Sequence, residues 1–183
     1  AELEVTVGLI ATLDEQVAAY DPLVRRWARE LPEARLLQSV PGIGPFGAGL
    51  ILAELGTVTR FASSRELAAY AGVVPSTRSS GGKTAHGGVG PAGNGWLKWI
   101  LIEAVQTLKQ RPGPVQVHYE RLLRAKGKPK ATVAAARKWC TYLYGMLREG
   151  WSYDAWLQHE AARAGCPVQA LASAGGVGST ARR

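Results

Sequence analysis

Cysteine is scarce in this chain, and the two that occur, Cys140 and Cys166, stand far apart in a sequence of 183 residues. Two cysteines cannot build the disulfide framework of a small secreted domain. Neither they nor the three histidines show the spacing of zinc ligands. We therefore expect this chain to bind no metal and to work in a reducing, cytoplasmic environment.

Long apolar runs and strand-like alternation are also missing. No stretch is long enough to span a bilayer and no secretory signal is visible, which argues against a membrane protein. Alternation with a period of two never extends beyond a few residues, so we predict an all-α fold and no strand. The sequence opens without Met, inside the helical pattern AELEVTVGLI, so we expect a fragment or a processed chain.

Acidic residues are nearly absent from the middle of the chain. Residues 71–138 carry twelve Lys and Arg against only Glu103 and Glu120, a net charge of +10. Residues 1–70 carry a net charge of −3 and residues 139–183 one of +1, which gives the total of +8. A cationic segment of this kind favours a nucleic-acid-binding face, with an anionic membrane surface as the second candidate.

Helical periodicity is the main pattern that is present. Apolar residues recur at steps of three and four through residues 2–30, which predicts a long helix with near-heptad spacing. Pro22 indicates a kink and Pro32 a stop. This segment, residues 1–33, either packs on the rest of the chain or pairs with a partner helix to give a dimer or tetramer.

Residues 95–110 are predicted to form a helix that Asn94 caps. Lys98 and Lys109 are expected to be exposed to solvent. The positions expected to be buried are Leu97, Ile100, Leu101, Ala104, Val105 and Leu108. Trp96 and Trp99 either belong to the core or stack on nucleic-acid bases. Two aromatics three residues apart on an apolar helix favour the core.

Residues 36–56 contain two short helical patterns around Pro-Gly-Ile-Gly, which is typical of a helix-hairpin-helix. Gly42 and Gly44 allow the backbone angles of the turn, and Ile43 would anchor the hairpin in the core. The free N–H groups at the start of the second helix could then bind a phosphate without reading sequence. A hairpin used only for packing is the alternative.

A glycine-rich loop over residues 75–95 contains Ser79 and Ser80 followed by Gly-Gly-Lys. Such a loop loses much conformational entropy when it is ordered, so we expect it to stay mobile unless a ligand fixes it. Bare N–H groups and Lys83 could approach phosphate oxygens. A flexible surface connection is the alternative.

The last third of the chain reads as basic helices. Helices are predicted over residues 115–126 and 131–149, joined by a basic turn at 127–130. Lys126, Lys128 and Lys130 are the nucleic-acid-binding candidates of this region. A domain over residues 34–157 would then be followed by a partly disordered tail, residues 158–183.

Three segments are more specific together than alone: VPGIGPFGAGLILAELG, RFASSRELAAYAGVVPSTRSSGGKTAHGGVGPAGNGWLKWILIEA and YERLLRAKGKPKATVAAARKWCTYLYGML. In this order they resemble the C-terminal transposase domain of the DEDD-type insertion-sequence transposases, the one-ten type, also called bridge-RNA-guided recombinases. The resemblance covers roughly residues 36–153. The Lys or Arg that this family commonly has just before its Gly-Asn step is absent from residues 91 and 92 here.

The resemblance implies a site whose parts lie on two domains. Ser80, with Ser79 as second choice, would attack a DNA phosphodiester and form a phosphoserine linkage. The metal-binding acidic residues, with Mg²⁺, would belong to a RuvC-like domain that this chain lacks. A structured guide RNA would select the DNA, and the protein would work at the nucleoid of a prokaryotic cell.

Residues around the serines are candidates for supporting roles. Arg78 and Lys83 could neutralise the scissile phosphate, and Asn94 and Lys98 mark a helix start that could hold another. His86 is a weaker candidate for activating the serine. Two other functions stay open: a non-catalytic nucleic-acid-binding module, and an assembly module built on residues 2–30.

Overall fold

The computed structural model describes residues 2–74, 77–80, 83–86 and 93–163, and within them the chain is helical, as predicted. The α-helices are α1 (Glu2–Glu30), α2 (Pro32–Gln38), α3 (Pro45–Leu55), α4 (Ser64–Tyr70), α5 (Gly95–Leu108), α6 (Pro114–Lys126), α7 (Lys128–Glu149) and α8 (Tyr153–Arg163). A 3₁₀ turn covers Val58–Arg60. No helix in these described ranges is long and apolar enough to cross a membrane.

One β-hairpin departs from the prediction that the chain has no strand. Strands β1 (Thr77–Ser80) and β2 (Lys83–His86) pair antiparallel within the glycine-rich loop. Four residues are too few to show a recognisable alternation, which is why the pattern was missed. Gly-Gly, the dipeptide between the two strands in the sequence, is typical of two-residue hairpin connections.

Helix α7 is the centre of the core, and it packs against α2, α4, α5, α6 and α8. Trp139 and Met146 are completely buried along it. The indole of Trp156 in α8 packs directly against the backbone of Gly145. Only glycine fits there, because a Cβ would lie 2.1 Å from the ring. Cys140 is buried as well, and this burial raises the pKa of its thiol to about 12, so the group stays neutral.

Helix α5 confirms one part of its prediction and corrects another. All six apolar positions expected to be buried are buried. Trp96 and Trp99, which were expected in the core, are 62% and 44% exposed because the buried arc of the helix is already filled by those six side chains. Lys98 and Lys109, expected in solvent, are half-buried, and Lys109 Nζ lies 5.5 Å from the ring centre of Tyr119.

Helix α1 is covered only near its C-terminal end. It continues through Pro22 and ends before Pro32. Trp27 lies against Gly49 of α3, and Ala28 is buried. Residues 2–23 are all exposed, so roughly 33 Å of this helix does not pack against the other described helices.

The C-terminal third shows two further differences. Residues 127–130 are not a turn: Gly127 alone separates α6 from α7, and Lys128 and Lys130 lie in the first turn of α7, where Pro129 is tolerated. Helix α8 extends to residue 163 and includes the start of the predicted tail. The disorder predicted for the rest of that tail, and the mobility predicted for the glycine-rich loop, concern segments outside the described residues.

Candidate active site and nucleic-acid interface

The turn between α2 and α3 is held by a contact that only glycine permits. Gly42 has φ +92°, and a Cβ on it would lie 2.6 Å from Oγ1 of Thr107 in α5. Ile43 is buried, as its predicted anchoring role requires. Gly44 is exposed at the start of α3, and its cap position carries no side-chain hydrogen bond. The N-terminus of α3 is therefore open to an anion, and phosphate contact through Gly42 and Gly44 stays a prediction.

Helices α3 and α5 run antiparallel. Gly42 meets Thr107 at one end of the pair, and Asn94 bonds Glu54 at the other. The turn before α3 and the capped start of α5 are therefore separated by about the length of α5, roughly 21 Å. Gly42 and Asn94, both predicted to contact nucleic acid, thus lie too far apart to hold the same phosphate.

Gly72 and Gly93, which flank the segment with the serines, lie in contact, and we call this contact the loop stem. Gly93 has φ +101°, and a Cβ on it would lie 2.6 Å from backbone atoms of Gly72. The N–H of Asn94 donates to the carbonyl oxygen of Tyr70 at 2.8 Å. The two ends of the loop are therefore closed against each other by backbone contacts.

Asn94 fixes the start of α5 directly below this stem. Its Oδ1 accepts the N–H of Leu97 at 2.9 Å, which confirms the predicted cap. Its Nδ2 donates to Oε2 of Glu54 at 2.6 Å, and the Tyr70 hydroxyl donates to the carbonyl oxygen of Glu54. Because both ends of the amide are used within the fold, the observed role of Asn94 is structural, and its contact with nucleic acid stays a prediction.

The register of the hairpin separates the candidate residues of the loop. Ser80 pairs with Lys83 at the closed end, and His86 pairs at the opposite end, three positions or about 10 Å away. Arg78 precedes Ser80 by two positions on the same strand, and Ser79 pairs with Thr84. The register therefore argues against activation of Ser80 by His86.

A second cationic surface lies where α6 meets α7, and we call it the basic elbow (Lys126, Lys128 and Lys130). All three lysines are exposed, and residues 121–138 contain no acidic side chain. His118, one turn before Arg121, is half-buried, and its Nδ1 accepts a hydrogen bond from Nη2 of Arg121 at 3.2 Å. Burial, followed by the charges of Arg121 and Lys138, lowers the pKa of His118, so the elbow's charge comes from Lys and Arg.

Trp96 and Trp99 form an exposed aromatic pair on the first turns of α5, which we call the tryptophan pair. Their ring centres are 6.4 Å apart and the rings are nearly perpendicular, at 89°. Sequence reasoning named both residues but preferred the core. The signal that could have identified them is their position outside the arc defined by the other apolar residues of the helix.

The serines need an activator, because a serine hydroxyl is a weak nucleophile at its ordinary pKa. In the part of the chain that the structure describes, no group of His, Cys, Asp or Glu is arranged to hold a metal ion. Predicted support for Ser80 therefore comes from cations, Arg78 and Lys83, which can neutralise a phosphate but cannot accept the serine proton.

Comparison with known proteins shows similarity to one family of transposases. Residues 34–120 match the model described as the Transposase IS116/IS110/IS902 family. The insertion element IS110 uncharacterized 43.6 kDa protein of Streptomyces coelicolor is 31% identical over 148 residues, covering 79% of this chain and 36% of that protein. The insertion element IS116 uncharacterized 44.8 kDa protein of Streptomyces clavuligerus is 29% identical, covering 76% and 35%.

The transposase for insertion sequence element IS1111A of Coxiella burnetii is 28% identical over 144 residues, covering 76% of this chain and 40% of that protein. The chain thus spans between a third and two-fifths of the length of these relatives.

Proposed function

We propose that this chain supplies the serine nucleophile of a DNA transposase, because residues 34–120 match the model described as the Transposase IS116/IS110/IS902 family. The observation that carries the proposal is the serine loop: Ser80 pairs with Lys83 in a hairpin, and the loop's flanking residues Gly72 and Gly93 lie in contact at the stem. The stem fixes where the loop begins and ends, and the two cations favour a phosphate beside the hydroxyl.

The chemistry of such a site is a pair of phosphoryl transfers. Oγ of Ser80 attacks phosphorus and loses its proton, and a deoxyribose oxygen leaves and gains one. The bond between serine and phosphate keeps the energy of the phosphodiester, so attack by the hydroxyl of another strand rejoins DNA without a nucleotide cofactor. Arg78 and Lys83 would offset the negative charge that grows on the phosphate oxygens.

The remaining parts of the reaction are proposed from the resemblance. Acidic residues of a RuvC-like domain, with bound Mg²⁺, would supply the acceptor for the serine proton, which the cations beside Ser80 cannot provide. A structured guide RNA would choose the DNA. The charge of +10 on residues 71–138 is suited to either nucleic acid.

Trapping the covalent intermediate tests the proposal. The transposase that contains this chain is incubated with DNA in which the cleaved strand carries a nick close to the cleavage point, so that the released fragment diffuses away. We expect a protein–DNA adduct that survives denaturation and, after nuclease digestion, a phosphorylated peptide whose modified residue is Ser80. A modified residue outside the loop would refute the assignment.

The basic elbow gives a prediction about affinity. Changing Lys126, Lys128 and Lys130 together to glutamine should weaken binding of duplex DNA at every sequence tested. If all three contact phosphates, the slope of log affinity against log salt should become shallower by about 2.7, since each cation contributes about 0.9. Fluorescence anisotropy over a salt series measures both quantities.

The matched control removes the same charge elsewhere. Arg25, Arg26 and Arg29 are exposed on α1, where two of them pair with acidic side chains, and the surrounding segment has a net negative charge. Glutamine at these three positions should leave the salt slope unchanged. If the slope of log affinity against log salt changes equally in the two triple variants, the total charge of the chain governs binding and the position of the elbow does not.

A second proposal concerns assembly, and the exposure of α1 favours it. Nine large apolar side chains of this helix are more than half exposed: Leu3, Val5, Val7, Leu9, Ile10, Leu13, Val17, Tyr20 and Leu23. Monomeric proteins rarely leave so continuous an apolar surface in water. We propose that α1 pairs with the same helix of another copy, with heptad-like packing.

Charge placed on the apolar stripe should prevent this pairing. Changing Ile10 and Leu13 to aspartate is expected to lower the mass in solution to that of one chain, as measured by sedimentation equilibrium, because two carboxylates would be buried at the interface. Aspartate at Ala19, which is exposed on the opposite side of the helix from Ile10, should leave the mass unchanged. A wild-type chain that is already monomeric at all concentrations would disprove the assembly.

A further inference from the structure

The tryptophan pair is not used by the serine chemistry and differs from the other tryptophans of the chain. Trp139 and Trp156 are buried between α7 and α8 and Trp151 is half-buried, while Trp27, although 38% exposed, packs over Gly49. Trp96 and Trp99 remain 62% and 44% exposed. Burying an indole is strongly favourable, so two adjacent indoles left in water indicate a surface with a ligand.

The geometry of the pair suits a flat ligand. Edge-to-face packing at 6.4 Å leaves at least one face of each ring uncovered by the other. Trp96 follows the loop stem by three residues, because Gly93 closes the stem and α5 begins at Gly95. The open ring faces therefore lie at the foot of the loop that carries Ser80.

Charge indicates what the flat ligand is. The pair lies in the segment with a net charge of +10, which favours a polyanion. Glu103 is the one acidic residue of α5 and is exposed one turn after Trp99. Its negative charge disfavours phosphates on the C-terminal side of the tryptophan pair, so phosphates should bind on the side nearer the serine loop. A nucleic-acid strand that has aromatic faces and phosphates satisfies both observations.

Only unpaired bases can offer their faces, because stacking inside a duplex covers them. Resting on the function proposed above, we infer that Trp96 and Trp99 stack on unpaired bases of the DNA strand whose phosphodiester Ser80 attacks. The pair would hold that strand open beside the cleavage point. DNA is the occupant because the pair adjoins the loop that acts on DNA, and base stacking is tolerant of sequence.

Binding of single-stranded oligodeoxynucleotides by the 183-residue chain tests the inference, with tryptophan fluorescence and anisotropy as readouts. Alanine at both Trp96 and Trp99 should weaken binding roughly 5- to 150-fold per stacked base. Phenylalanine at both positions should restore most of the affinity. An oligonucleotide with abasic sites keeps its phosphates and should bind wild type and the alanine variant equally.

Three outcomes would overturn the inference: equal affinity of wild type and the alanine variant for the normal oligonucleotide, the same loss on the abasic one, or tighter binding of RNA of the same sequence. The covalent Ser80 adduct is measured in parallel with the complete transposase. An adduct without a stacking effect refutes the tryptophan role and leaves the proposed function intact. A stacking effect without any wild-type adduct refutes the serine proposal instead, because the abasic comparison does not depend on cleavage.

Discussion

Replacing Ser80 with alanine should reduce strand exchange by the complete transposase at least about a thousandfold, the order of loss that follows removal of a catalytic nucleophile. The affinity for DNA should change less than about twofold, because removing one hydroxyl leaves the cations of the loop and elbow in place. A recombination assay on supercoiled plasmids and an anisotropy titration measure the two quantities on the same preparation.

Ser79→Ala is the matched control for this experiment. It removes the same atom one residue away, at a position that pairs with Thr84 and not with Lys83, and should retain strand exchange. If Ser79→Ala is the inactive variant, the nucleophile has been assigned to the wrong serine. Should both variants recombine normally, the chain is a nucleic-acid-binding module and its serines are not catalytic.

Replacing Gly93 with alanine should lower the free energy of unfolding by about 3–5 kcal/mol, one of the largest effects available to a single methyl group. A non-glycine residue at φ +101° is strained, and the new Cβ would lie 2.6 Å from the backbone of Gly72, which cannot move aside as a side chain can. Urea unfolding followed by circular dichroism measures the loss. Strand exchange should fall as well, because the loop stem no longer closes.

Gly95→Ala tests whether the loss is local to the stem. Gly95 is exposed, begins α5, and has no atom within 4 Å of an added Cβ. Alanine there should be neutral or stabilise by up to about 1 kcal/mol, because it favours the helix. Similar losses at Gly93 and Gly95 would show that any added methyl group disturbs this segment and that the stem contact is not the cause.

Features of a helix that depend only on neighbouring residues, such as its cap and its buried face, could be predicted from the sequence. The cap at Asn94 and the six buried positions of α5 follow from spacing and from the preference of Asn for caps, and the structure confirms both. Trp96 and Trp99 were assigned wrongly because their residue type was given more weight than their position on the helix. Lys128 and Lys130 were read as a turn because Gly127 and Pro129 were taken together, although a proline is tolerated in the first turn of a helix.

Contacts between distant segments could not be predicted from this sequence. The closure of Gly93 on Gly72 joins residues 21 positions apart, and neither glycine differs in sequence context from the many glycines around it. The antiparallel pairing of α3 and α5, which separates the turn at Gly42 from the cap at Asn94, depends on packing that no single segment encodes. The sequence identifies the candidate residues, but the distances between them follow only from the folded structure.

The loop stem has a consequence for how such a domain can change over time. Since Gly72 and Gly93 lie in contact, residues can be added to the segment between them or removed without altering the register of α4 or α5. A lengthened or exchanged hairpin would still begin and end at the same two glycines. We therefore expect this segment to vary in length among related proteins while the helices that anchor it stay the same.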